Sequence, residues 1–126
     1  MHPIAQVASG IAALIHVYFF LMESVWFMQP RVWGRFGVAS AEQAEVVRSF
    51  AYNQGFYNLF LAVGVGLGLV LVATGDPVGR GIVLFACGSM AAAGVVLYLH
   101  NRTFLRAAAV QAAPPLLAIL VAILLL

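Results

Sequence analysis

Glu23 is the side chain in this sequence that most strongly indicates chemistry. It lies within the apolar run Ile4–Met28, which is long enough to cross a bilayer, since a hydrocarbon core about 30 Å thick needs roughly 20 apolar residues of helix. A carboxylate inside such a segment is costly, and it normally faces a partner or a water-filled cavity rather than lipid. A carboxyl group held in a cavity can act as a general acid or base, and we expect Glu23 to have that catalytic role.

Polar side chains also lie at the start of the second apolar run, at the depth expected for Glu23. They are Asn53, Gln54, Tyr57 and Asn58. Asn53 and Tyr57 are four residues apart and project from the same helix face, which Gly64 and Gly68 continue. We expect them to be catalytic partners of Glu23 that donate to a substrate oxygen or stabilise developing charge. Asn58 and Gln54 are expected to bind the ligand. Glu23 is predicted to lie within hydrogen-bond reach of Asn53, Tyr57 or Asn58, directly or through water.

Three further residues are candidate ligand-binding groups. His16 lies two turns before Glu23 on the same helix face. It could be a hydrogen-bonded core residue, a proton relay or a ligand to haem iron, but a single His without a second one at ligand spacing does not indicate zinc, so no metal site is expected. His100 ends the third apolar run and could edge the cavity. Gln111 begins the fourth run, where Pro114 and the proline after it leave backbone carbonyls without helical donors.

The composition identifies the class of protein. Of 126 residues, 64% are hydrophobic and 8% are charged, whereas soluble domains are nearer half apolar and a quarter charged. The chain is therefore expected to be an integral membrane protein. It has no basic cluster, which excludes nucleic-acid binding, and the lone Cys87 cannot form an internal disulfide.

The apolar segments define the expected fold. Spans at about 4–28, 46–73, 81–99 and 107–126 are predicted within a single transmembrane domain, 1–126. Short links imply antiparallel neighbours, so the sequence predicts an all-α, antiparallel four-helix transmembrane bundle. The second helix is expected to begin before the membrane, because Ser40 and Gln43 are spaced as a capping box.

The distribution of arginines predicts an orientation. Five of the six belong to the first and third connections: Arg31, Arg35, Arg48, Arg102 and Arg106. The second connection carries only Arg80. Because cytoplasmic loops are enriched in basic residues, loops one and three are predicted to be cytoplasmic and both termini outside.

Small residues at four-residue spacing predict close helix packing. Gly64 and Gly68 form one such pair, and Gly88 and Ala92 form another. This spacing lets helix backbones approach closely in lipid, either within one chain or between chains. We expect a homo-oligomer.

The polar motifs resemble domain-of-unknown-function family 1304. The stretch from Ala51 to Ala62, AYNQGFYNLFLA, resembles the family signature ANQGxYNxFLA, with Tyr52 in place of a smaller residue. The other matching positions, in the first and fourth helices, are His16, Val17, Tyr18, Glu23, Trp26, Pro30, Val110, Gln111 and Pro114. The resemblance implies a small four-helix membrane protein, mostly found in bacteria, and hence a place in the bacterial cytoplasmic membrane. It implies no particular activity.

Three functions remain open from the sequence. The first is a cavity that binds a small lipophilic molecule, in contact with membrane lipid, and isomerises it by proton transfer at Glu23. The second is a proton-coupled exporter of the four-helix type, although the nearly apolar outer half offers no fixed path through the bundle. The third is a non-catalytic accessory subunit of a membrane complex.

Overall fold

A computed structural model describes residues 1–125, and the regular structure in that range is helical. Helix α1 is Pro3–Phe20 and continues into a π-helical turn, Leu21–Val25. The short helix α2, Pro30–Trp33, is followed by a 3-10 turn, Gly34–Phe36. The three remaining long helices are α3 (Ala41–Ala73), α4 (Pro77–His100) and α5 (Leu105–Leu124), with a 3-10 turn at Arg102–Phe104 before α5.

Four segments are long and apolar enough to cross a membrane: Pro3–Val25, Ala41–Ala73, Pro77–His100 and Arg102–Leu124. The predicted all-α bundle of four transmembrane helices is confirmed. Many large apolar side chains are exposed, among them Leu14, Phe85 and Leu124 at 71%, 76% and 75%. In water such surface would be unfavourable, whereas lipid accepts it, so the exposure agrees with a membrane protein.

The start of α3 confirms the capping box. The Ser40 hydroxyl accepts the Gln43 backbone N–H at 3.2 Å. The Gln43 side chain reaches back to accept the N–H of Ala39 at 3.1 Å, one residue earlier than the usual partner. Two of the backbone donors at this helix end are thereby satisfied.

The connection between α3 and α4 is a tight turn around Gly75. Its φ of +82° is in the left-handed region that glycine adopts without strain. The N–H groups of Gly75 and Asp76 donate to the carbonyls of Val72 and Leu71, which is the Schellman arrangement. Asp76 then caps α4 by accepting the Val78 N–H at 2.9 Å.

The backbone groups into two compact units. The first unit contains Met1–Ile15 and the chain from Leu61 onward, so parts of all four long helices pack within it. Its core consists mainly of small and medium side chains: Ala8, Ala12, Val65, Val83, Ala86, Cys87, Met90 and Ala118. The second unit is His16–Phe60, a helical hairpin that includes the first connection.

Close approaches in the first unit occur at particular glycines. A Cβ on Gly79 would collide with the Gly68 carbonyl oxygen, and a Cβ on Gly94 would lie 2.9 Å from that of Ala112. Gly68 therefore makes the close helix contact that its four-residue spacing from Gly64 predicted. A Cβ on Gly88 would meet nothing within 4 Å among the described residues, so Gly88 does not make a close helix contact there.

Gly79→Ala is expected to destabilise the protein, because the added methyl group meets the backbone of α3, which cannot move aside locally. Overpacking of this kind costs about 1–3 kcal/mol. Gly81→Ala, two residues further along α4 and in open space, is the matched control and should be neutral or slightly stabilising. Thermal unfolding in detergent measures the stability of both variants. Equal melting temperatures would contradict the close contact at Gly79.

Candidate functional site

Glu23 lies in the π-helical turn at the end of the first membrane helix. The Trp26 N–H donates to the Leu21 carbonyl at 2.8 Å, five residues back rather than four. Single π turns within helices are frequent at functional sites. The sequence had indicated a regular helix as far as Met28, but the helical segment ends at Val25.

A small-residue contact joins this turn to α3. Ser24 donates its hydroxyl to the Tyr52 carbonyl at 2.7 Å. Gly55 lies directly opposite, and a Cβ there would overlap the Ser24 hydroxyl oxygen. Gly55 is therefore required for the two helices to approach closely at this point, which fixes the position of the neighbouring Glu23.

The Glu23 carboxylate is bound by an amide of α3. Asn58 donates from Nδ2 to Glu23 Oε2 at 2.6 Å, and Asn58 is only 6% exposed. The expected hydrogen bond between Glu23 and the polar residues of the second membrane helix is thereby confirmed. Within residues 1–125, no arginine forms an ion pair with Glu23.

An open groove of about 490 Å³ lies beside the carboxylate. Its lining residues all belong to the second unit and are Glu23, Phe27, Phe36, Val38, Val47, Phe50, Ala51, Asn53 and Gln54. The structure therefore brings Asn53 and Gln54 together with Glu23 along one surface. Asn58 holds the carboxylate without lining the groove itself.

The packed face of α3 differs from the expected one. Its buried positions include Gly55, Asn58, Ala62, Val65 and Gly68. Asn53 and Tyr57 were expected on the face with Gly64 and Gly68, but both are exposed, Tyr57 at 58%. Tyr57 does not line the groove, and its catalytic role stays a prediction.

The other candidate ligand-binding residues have different surroundings. His16 is completely buried, and its ring packs edge-to-face against Phe19 at 5.2 Å between centroids. In the first unit, His100 is exposed at the end of α4 and Gln111 is partly buried on α5. The part of the chain that the structure describes holds no group of three or more His, Cys, Asp or Glu side chains arranged for a metal.

The aromatic lining of the groove was not expected from the sequence. Phe27 and Phe36 come from the first connection, and their ring centroids are 5.8 Å apart. The available sequence signal is the aromatic residues of the first connection, and residue type alone does not distinguish a membrane anchor from a groove wall.

The first unit contains a second groove, of about 350 Å³. Its lining is wholly apolar: Ile4, Val7, Ala8, Ile11, Ala113, Pro114 and Leu117. It has no group for acid–base chemistry.

Residues 10–123 match the family described as "Protein of unknown function (DUF1304)". The chain belongs to this family. The DUF1304 match includes Glu23, Asn58 and every residue that lines the groove beside them. Among curated proteins and among solved structures, none matches this DUF1304 chain significantly.

Gly55→Ala is expected to lower stability by about 1–3 kcal/mol, because the new methyl group must displace the Ser24 hydroxyl. Gly66→Ala is the matched control on the same helix, since nothing lies within 4 Å of its added Cβ. Thermal unfolding in detergent should separate the two variants. A Gly55→Ala protein as stable as Gly66→Ala would show that the helices do not meet here.

Proposed function

We propose that this DUF1304 protein binds a small lipophilic molecule in the Glu23 groove and isomerises it by proton transfer. One observation carries the proposal: a carboxylate held by Asn58 at 2.6 Å borders a groove lined otherwise by apolar and amide side chains. Pockets for small organic molecules have this composition, mostly apolar with a few polar groups that fix orientation.

The hydrogen bond from Asn58 gives the two carboxylate oxygens of Glu23 different roles. It occupies Oε2 and fixes the orientation of the group, and it leaves Oε1 for a ligand. In the proposed reaction, Glu23 accepts a proton from one atom of the ligand and returns it to another. The amides of Asn53 and Gln54 hydrogen-bond the polar group of the ligand. No co-reactant is consumed, because Glu23 delivers one proton for each proton that it removes, and its carboxyl proton can exchange with water between the two transfers.

The length of α3 supports an amphiphilic ligand. Its 33 residues extend about 50 Å at about 1.5 Å per residue, which exceeds the roughly 30 Å of a hydrocarbon core. A span of about 20 residues counted back from Ala73 begins near Gln54. The amides then lie at the edge of the hydrocarbon, where a ligand keeps its polar group near water and its apolar part in lipid.

The proposed reaction predicts proton exchange at the bound molecule. Native mass spectrometry of the purified protein should detect a retained lipophile, and incubation in D₂O should give it a carbon-bound deuterium. Glu23→Gln should keep the hydrogen bond from Asn58 but lose the exchange, so that any lipophile it still retains carries no carbon-bound deuterium. Glu42→Gln, at an exposed position on the same helix as Asn58, should behave as wild type. Equal exchange in the Glu23 and Glu42 variants would contradict the proposal.

We further propose that loops one and three face the cytoplasm, with both termini outside, in a bacterial cytoplasmic membrane. The arginine distribution supports this orientation. The homo-oligomer expected from the glycine spacing stays a prediction.

The orientation can be tested by cysteine labelling in a Cys87→Ser background. A cysteine at Thr74, in the turn between α3 and α4, should react with a membrane-impermeant maleimide added outside intact cells. A cysteine at Ala39, before α3, should react only after the membrane is opened. The reverse pattern would invert the topology.

A further inference from the structure

We infer that the ligand of the Glu23 groove is a lipophilic cation, an ammonium head on an apolar body. The inference rests on the proposed function, because it concerns the same groove, and it specifies the class of molecule. It is carried by the charge and the aromatic character of the lining taken together.

Glu23 is the single charged side chain among the nine that line the groove. The arginines of the same unit interact elsewhere. Arg35 donates to the Tyr18 hydroxyl at 3.0 Å, and Arg31 donates to the Gln29 side chain at 3.1 Å. Arg48 lies 3.6 Å from Glu45. No arginine of this unit therefore pairs with Glu23, and a ligand cation in the groove would be attracted to its carboxylate.

The aromatic residues of the lining add a second attraction for a cation. Phe27, Phe36 and Phe50 contribute three rings to one groove. Ring faces carry negative electrostatic potential and bind ammonium groups that come within about 6 Å of the ring centroid. Phe50 is 77% exposed, so its ring is accessible to a molecule arriving from outside.

The amide side chains of the groove are also compatible with a cationic ligand. The side-chain oxygens of Asn53 and Gln54 can accept N–H hydrogen bonds from an ammonium head. A neutral head of equal size would gain the amide and apolar contacts but not the pairing with Glu23. An anionic head would meet the carboxylate at close range with no arginine in the lining to offset the repulsion.

Three probes with apolar tails of nearly equal length separate these cases: decylammonium, decanol and decanoate. Their binding is measured by calorimetry to the full-length protein in nanodiscs of neutral phosphatidylcholine, with empty nanodiscs as the partition control. We expect the cation to bind about tenfold more tightly than decanol, since an ion pair and ring contacts at a partly exposed site amount to about this factor. Decanoate should bind most weakly.

Variants of the lining residues test whether the preference for the cation over decanol arises in the groove. Glu23→Gln should weaken cation binding about tenfold and leave decanol within about twofold. Phe50→Leu keeps an apolar side chain but removes the ring, and should weaken the cation about threefold with little effect on decanol. The matched controls are Glu42→Gln and Phe60→Leu, at exposed α3 positions outside the lining, and neither should alter binding.

Other binding results would contradict the inference alone, or the inference together with the proposed function. If decanol binds as tightly as the cation, or if Glu23→Gln leaves the cation affinity unchanged, the inference is overturned while the proposed lipophile site stands. If none of the three probes binds above the level of empty nanodiscs, both the inference and the proposed function are overturned.

Discussion

The close approach at Gly55 is the constraint on which the candidate site depends. Because Gly55 has no side chain, the Ser24 hydroxyl can enter the space beside α3 and donate to the Tyr52 carbonyl. Ser24 follows Glu23 directly, so the same contact sets the distance of the carboxylate from α3. At that separation Asn58 reaches the carboxylate with a hydrogen bond of 2.6 Å.

A second constraint is electrostatic. A carboxylate near the end of a membrane span must be hydrogen-bonded, hydrated or paired, since its transfer into hydrocarbon is unfavourable. Here one amide supplies a hydrogen bond and an open groove gives access to water or ligand. This arrangement lowers the free-energy cost of the charge and also leaves the carboxylate reactive. A fully paired carboxylate would have no oxygen left for a substrate.

Features encoded by local chemistry could be predicted from the sequence. The four apolar spans and the capping box at Ser40 follow from residue type at fixed spacing. Shared depth was enough to predict contact between Glu23 and the polar start of the second membrane helix. The residue that makes the contact was harder to predict, because Asn53, Tyr57 and Asn58 differ by rotation about the helix axis. That rotation is set by the close approach at Gly55.

The π turn and the aromatic groove could not be predicted in this way. A π turn has the same composition as an α-helix and differs in which carbonyl each N–H reaches. The groove depends on the path of the connection through Phe36 and Val38, and that path is determined by packing rather than by any local motif.

The π turn also has a consequence for how the chain tolerates changes in length. It accommodates one residue more than the α turn that it replaces. Deleting one residue between Leu21 and Val25 would therefore allow a regular α turn there and leave the direction of the first connection nearly unchanged. Closing the full set of residues into a regular α-helix would instead rotate everything that follows by about 100°. Phe27 and Phe36 would then leave the groove although every side chain that lines it was still present. The groove therefore depends on the π turn itself and not only on the side chains that line it.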